Sequence, residues 1–231
     1  MTVSPSLRPT LKTELLDRIR HLDPTTALLP SNHPEIDQII QDLEAITPIT
    51  HPLQPDHWPT LRGTWDLIYA SQGTVVTRRI PAPWPVVIRR VWQRLTVSPQ
   101  ASPPIAAENG AVVSLPLVGE LTALAQGVWQ PYEDAESASV SFGSFSLQPT
   151  RLLGVAGLHL PQLTLPIFEA LRRETLWITS YLDDDLRIGR GVTGNLFVFQ
   201  RTPASEPAWA QKVAQTEETR SLKDDSSDPG P

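Results

Sequence analysis

At 231 residues and 40% hydrophobic content, the chain can bury one sizeable core, and all-β domains of roughly 200 residues are common. A net charge of −6 argues against a nucleic-acid binder, whose footprint is a basic face. The absence of cysteine excludes a disulfide framework, thiol catalysis and thiolate metal sites. Proline is the outlier: 24 residues, about twice the usual ~5% share, which favours short elements joined by turns. No apolar run reaches the about 18 residues of a membrane-spanning helix. The N-terminus lacks the apolar core of a secretory signal, and Glu14 and Asp17 argue against a transit peptide.

Residues 5–22 read as a helix, because Leu7, Leu11, Leu15, Ile19 and Leu22 recur at spacings of three and four. Asp23-Pro24 ends it, since the residue before proline avoids the α region. A second helix is predicted over 33–45, with Pro34 in its first turn and Ile36, Ile39, Ile40 and Leu43 on one stripe. The proline-rich stretch 48–60 reads as an extended connector. From Leu61 the period changes to two, and Trp65, Leu67 and Tyr69 are expected on one face of a strand. Further strands are predicted over 74–80, 86–98, 111–115, 121–130 and 138–147, then 174–182, 186–190 and 195–201. Residues 149–173 are broken by Gly154, Gly157, Pro161 and Pro166, with a short helix allowed over 167–173. Repeated short strands between turn signals argue for a sandwich or barrel. The tail, 203–231, carries six acids against three bases and few apolar groups, a composition expected to stay disordered. The predicted division is thus a helical lead-in (1–60), a β domain (61–202) and an acidic tail (203–231).

Most candidate chemistry dissolves on inspection. Asp183, Asp184 and Asp185 read as a solvated turn between strands, and the five histidines are scattered without a His-x-x-x-His pair. Gly189-Arg190-Gly191 is followed by a strand rather than a helix, and no Gly-x-Ser-x-Gly elbow occurs. The reading is therefore non-enzymatic, with no cofactor and no metal. Residues 78–94 stand apart: Arg78, Arg79, Arg89, Arg90 and Arg94 lie there without an intervening acid, with Trp84 and Trp92 among them. This is either the basic outer face of a strand pair or a peripheral membrane contact through Trp84, Arg89, Arg90 and Trp92. In the second case each basic residue is worth about 1 kcal/mol near anionic lipid.

Three stretches carry a family resemblance: LEAITPITHP (43–52), LRGTWDLIYAS (61–71) and, most specifically, YLDDDLRIGRGVTGNLFVF (181–199). In order and spacing the chain resembles the plastid lipid-associated protein family, the fibrillins, over roughly residues 10–202. The resemblance implies a mainly β protein: a lipocalin-like antiparallel β-barrel, preceded here by two N-terminal helices. It implies an apolar small-molecule partner (a lipid, prenylquinone or carotenoid). It also implies a protein on the cytoplasmic side, peripheral to thylakoid membranes or lipid bodies.

Closing a barrel brings the last strands beside the first. Gly63 then lets the chain bend, Trp65 plugs one end, and Arg187 or Arg190 lies over the Trp65 ring in a cation–π contact worth ~0.5–2 kcal/mol. Strand alternation places Leu186, Ile188 and Arg190 on one face and Arg187 on the other, although Gly189 and Gly191 allow a bulge. The arginines have two readings. In one, an arginine stacks on Trp65, pairs with Asp183 or Asp185 and holds the barrel closed. In the other, Arg187 or Arg190 reaches the interior and binds a carboxylate or quinone oxygen. Trp65, Tyr69, Tyr181, Arg187 and Arg190 are accordingly the candidate ligand-binding residues. The leading functional expectation is an apolar-ligand carrier. The alternatives are a structural protein that coats lipid bodies or docks a photosynthetic partner, and a chromophore-handling lyase of similar shape.

Overall fold

The apolar stripe of residues 5–22 becomes helix α1, Leu7–Arg20, and that of 33–45 becomes α2, Pro34–Glu44. Pro34 occupies the first turn of α2, and Glu35 and Asp37 place negative charge at its N-terminal end, where the helix dipole favours it. The computed structural model describes residues 7–22, 27–28, 33–71, 87–115, 119–152, 155–156, 163–165, 174–192 and 194–203. The strand predicted over 74–80, the helix over 167–173 and the tail beyond 203 lie outside the described residues. The connector 48–60 departs from the extended path expected of it. It holds a 3-10 turn, Pro55–His57, and a one-turn helix α3, Trp58–Leu61, whose Trp58 and Leu61 are buried. Pro55 and Pro59 occupy first-turn positions of these elements, where no backbone donor is missed.

Among the described residues ten strands follow: β1 (Gly63–Ala70), β2 (Val87–Val97), β3 (Ile105–Leu115), β4 (Gly119–Pro131), β5 (Ser137–Leu152), β6 (Val155–Ala156), β7 (Leu163–Leu165), β8 (Thr175–Leu182), β9 (Leu186–Gly191) and β10 (Leu196–Arg201). Eight of them, paired antiparallel in the order β4-β3-β2-β1-β10-β9-β8-β5, close on themselves because β5 also pairs with β4. That closed ring of hydrogen bonds is the arrangement expected of an antiparallel barrel, which leaves no free sheet edge. The short strands β6 and β7 pair with the far half of β5. The ring is uneven: β3 to β5 run 11, 13 and 16 residues, whereas β9 and β10 run six each.

Two apolar cores result. One fills the interior, with Trp65, Leu67, Leu95, Ile105, Ala107, Trp129, Ala138, Val140, Leu182 and Phe199. Leu53, Trp58 and Leu61 from the connector join it. The other lies outside the ring, where Leu15 and Ile19 of α1 and Ile36, Ile39, Ile40 and Leu43 of α2 cover Leu186, Ile188, Leu196 and Val198. β9 is therefore covered on both faces, and its first four residues, Leu186 to Gly189, are all buried.

Two bulges redirect side chains against simple alternation. The β1–β10 register shifts between Leu67 and Tyr69, and the β8–β9 register shifts between Thr179 and Tyr181. Tyr69 thus leaves the face of Trp65 and Leu67 and joins the outer core beneath the helices, and Tyr181 does the same. The glycines of β9 carry no bulge, and its pairing with β10 is regular.

Candidate functional site

The floor of the barrel is built around Trp65, which has no solvent exposure. Its indole Nε1–H donates to the Leu61 carbonyl at 2.9 Å, tying β1 to α3. Gly63, at φ +132°, makes the turn between them in a backbone region that L side chains avoid, and a Cβ there would come within 2.7 Å of Arg201 Nη1. Arg201 is directly opposite Trp65 in the β1–β10 register, and its guanidinium lies 4.1 Å from the Trp65 ring centroid. It donates Nη1–H to the Arg62 carbonyl at 2.9 Å, and further N–H groups to the carbonyls of Thr60 and Asp184. One side chain thereby fastens the last strand, the entry to the first strand and the β8–β9 turn. The sequence reading did not single out Arg201; only the register that sets it opposite Trp65 reveals its role.

Arg187 enters the same floor from inside. β9 alternates as expected: Leu186 and Ile188 face the helices, while Arg187 points inward and is completely buried. Its guanidinium carbon lies 4.4 Å from the Phe199 ring centroid, 5.2 Å from that of Trp65 and 5.7 Å from that of Trp129. Nη2–H donates to Gln93 Oε1 at 2.6 Å, and Gln93 Nε2–H donates in turn to Asn109 Oδ1 at 2.8 Å. Among the described residues Nε and Nη1 have no acceptor, and neither does the buried Trp129 Nε1. Burial above all, with the nearby Arg201 charge second, pushes the guanidinium down to about 9. It stays charged at neutral pH, in apolar surroundings where an unpaired ion costs several kcal/mol.

Above the floor, the two sides of the barrel differ in kind. The β3–β4 register is unbroken, and Ile105, Ala107 and Trp129 belong to the interior core. Alternation therefore puts three successive inner pairs at Ala107–Gly127, Asn109–Ala125 and Ala111–Ala123. These are small residues, and Asn109, Ala111, Ala123, Ala125 and Gly127 are only half-buried. Across the ring, β8 and β10 present an aromatic wall. Trp177 lies 5.3 Å from Phe197, 5.7 Å from Trp129 and 6.1 Å from Phe199, centroid to centroid. Trp177 lies flat on Gly189, where an added Cβ would meet its ring at 2.0 Å. The interior thus presents an aromatic wall and a small-residue wall, with Arg187, Gln93 and Asn109 as a polar ledge. Such a setting, apolar with a few placed polar groups, is that of a small-molecule site. The small-residue row was not singled out from sequence, because its inward face appears only once β3 and β4 are in register.

The family comparison agrees with this architecture. The PAP_fibrillin family model matches residues 9–200. The chain belongs to the PAP/fibrillin family. It is also similar to the "Probable plastid-lipid-associated protein 5, chloroplastic" of Arabidopsis thaliana, at 26% identity over 193 residues, covering 84% of this chain and 70% of that protein.

Tyr69, Tyr181 and Arg190 of this fibrillin lie instead on the outer wall, away from the ledge. Tyr69 donates its hydroxyl hydrogen to Asp37 Oδ1 at 3.1 Å, joining β1 to α2. Burial first, then the Asp37 charge and hydrogen bond, pushes its phenol up, so it stays neutral. Arg190 does not reach the interior; it makes a two-bond fork with Glu44 at the end of α2, Nε to Oε1 at 2.8 Å and Nη2 to Oε2. Tyr181 donates to Asp183 Oδ2 at 2.6 Å, and Lys12 Nζ of α1 donates to the same oxygen at 2.7 Å and to Asp185. Asp183 Oδ1 accepts from the backbone N–H of Asp185 and Leu186, closing the turn. Asp183 is therefore a half-buried clamp between α1 and the β8–β9 turn. The turn is solvated at Asp184 and Asp185, as expected, but Asp183 departs from that reading and pairs with Lys12 rather than with an arginine.

Burial alone would raise the Asp183 carboxyl. Its hydrogen bonds with Asp185, Lys12, Tyr181 and Leu186 outweigh that effect and hold it at about 2. A carboxyl lowered by folding adds stability above the ordinary aspartate value of about 4. That stability is lost as pH falls toward 2, and amounts to on the order of 2 kcal/mol. Denaturant midpoints measured at pH 6, 4 and 2.5 check this: the wild type loses stability steeply on the acid limb, and Asp183→Asn shows a shallower loss there.

Two arginines of the basic stretch, Arg90 and Arg94, are answered within the sheet. Arg90 Nε donates to Asp66 Oδ1 at 2.6 Å and its guanidinium lies 5.2 Å from the Trp92 ring centroid, while Arg94 stands 3.7 Å from Glu108. Trp92 lies flat on Gly110, where an added Cβ would meet its ring at 2.1 Å. Arg89 is exposed at the bulge where the β2–β3 register shifts. Trp84, Arg78 and Arg79 lie outside the described residues. No helix among the described residues is long and apolar enough to cross a membrane. A groove of about 1010 Å³ runs between α1 and α2, but charged residues line it and Arg18 and Glu35 pair beside it. It is a poorer setting for an apolar molecule than the barrel interior.

Proposed function

We propose that this fibrillin is a non-enzymatic binding protein that holds an apolar molecule inside its barrel, a lipid, prenylquinone or carotenoid. The observation that carries the reading is the interior itself: the Ala–Gly row of β3 and β4 faces the aromatic wall of Trp177, Phe197 and Phe199. Trp65 and Arg187 form the floor of that site, whereas Tyr69, Tyr181 and Arg190 hold the helices to the outer wall. Family membership and a relative named for association with plastid lipid support a role beside photosynthetic membranes or lipid bodies. Membrane contact, where it occurs, runs through Arg89 and the stretch containing Trp84, because Asp66 and Glu108 pair with Arg90 and Arg94.

Mass spectrometry of organic extracts tests the reading on protein purified without detergent and then incubated with a mixed pigment and lipid extract of photosynthetic membranes. Stoichiometric retention of one apolar species is expected. Protein that retains none, before and after incubation, contradicts the carrier role and favours a structural protein of lipid bodies.

A further inference from the structure

Arg187 is at odds with a purely structural floor. Arg201 already stacks on Trp65 and satisfies its own donors on backbone carbonyls. Arg187 adds a second cation, wholly buried, and among the described residues no acid pairs with it. Its hydrogen-bond partner is the neutral Gln93 amide, and Nε, Nη1 and the neighbouring Trp129 Nε1 are three buried donors without an acceptor among the described residues. Buried donors in native proteins nearly always have partners, and a buried cation is ordinarily matched by an anion. The surroundings thus specify what fits: an anionic oxygen, brought in by something that can fill the apolar space above.

We propose that the ledge of Arg187, Gln93 and Trp129 binds the carboxylate head of a long-chain, single-tailed acid whose tail lies along the Ala–Gly wall. This rests on the carrier reading and narrows it, because a neutral hydrocarbon or a quinone carbonyl leaves the Arg187 charge unmatched. A carboxylate that takes the place of the Gln93 oxygen on Nη2 closes a two-bond fork with Nε or Nη1, and its other lone pairs face Trp129 Nε1. Asn109, hydrogen-bonded to Gln93 and half-buried beside Ala125, extends the ledge toward the chamber.

Titration calorimetry at pH 8 with oleate, oleyl alcohol and acetate, all below micellar concentrations, tests the proposal on the full chain. Wild-type protein is expected to bind oleate at least tenfold more tightly than oleyl alcohol, and acetate not measurably. Arg187→Met should bring oleate down to the affinity of the alcohol and leave the alcohol unchanged. Trp129→Phe, which keeps a ring but removes the donor, should weaken oleate alone by a few-fold. It carries the test should Arg187→Met fail to fold. Equal binding of acid and alcohol by wild type overturns the carboxylate site but leaves the carrier reading standing. An undiminished oleate preference in Arg187→Met, or in Trp129→Phe if that variant alone folds, does the same. No binding of either long-chain probe overturns the carboxylate site, and together with empty extracts it overturns the carrier reading.

Discussion

Replacing Trp65 by alanine is expected to lower stability by about 3–5 kcal/mol, the range for truncating a buried aromatic side chain. Trp65 is fully buried and is the ring against which both Arg201 and Arg187 are stacked. Removing it opens a cavity at the floor and leaves the Leu61 carbonyl without its indole donor. It also removes the ring that shields the Arg187 charge. Urea unfolding followed by far-ultraviolet circular dichroism measures the change. Trp65→Phe should recover most of the apolar part, but should still fall short of wild type by about 1–2 kcal/mol because the carbonyl acceptor stays unpaired.

Gln93→Leu should destabilise the protein by about 1.5–3 kcal/mol, as expected when a buried charged group loses its hydrogen bond. The substitution preserves size and adds apolar surface, so a contact-counting view expects little change. The effect arises at a distance in sequence: Arg187 keeps its charge and loses its hydrogen bond to the Gln93 side chain. The double variant Gln93→Leu with Arg187→Met should be more stable than Gln93→Leu alone, because the stranded charge is gone. Such strong non-additivity is the mark of residues acting as one unit, and a double-mutant cycle in urea reads it directly. Additive losses in the cycle would mean that Arg187 is held by its three rings rather than by Gln93.

Much of this fold is legible in the residues, for identifiable reasons. Period-two patterning in the last strands correctly separates Arg187 from Arg190, because β9 keeps a regular register with β10. The helical stripes of α1 and α2 are equally plain, since Leu15, Ile19, Ile36 and Ile40 recur at helical spacing and are buried. What fails to show is whatever depends on register or on distant partners. The bulge beside Tyr69 carries no glycine, so alternation misassigns that tyrosine. The Arg190–Glu44 fork joins residues 146 positions apart. Trp58 looks like part of an extended proline-rich connector, and Leu61 like the start of the first strand, until α3 takes in both. The Ala–Gly wall is the most consequential omission. Alanines at alternate positions attract no notice singly, and their meaning lies in being paired across β3 and β4.

That wall also offers the most direct test of the account. Ala123 and Ala111 are inner-row partners, so Ala123→Phe would fill the proposed chamber from its middle without touching the floor. Retention of the apolar species should be measured by extraction and mass spectrometry for wild type and Ala123→Phe, side by side, with thermal midpoints recorded for both. The expected result is at least a tenfold loss of retained ligand in Ala123→Phe with the midpoint nearly unchanged. Equal retention by the two folded proteins would contradict a ligand chamber inside the barrel.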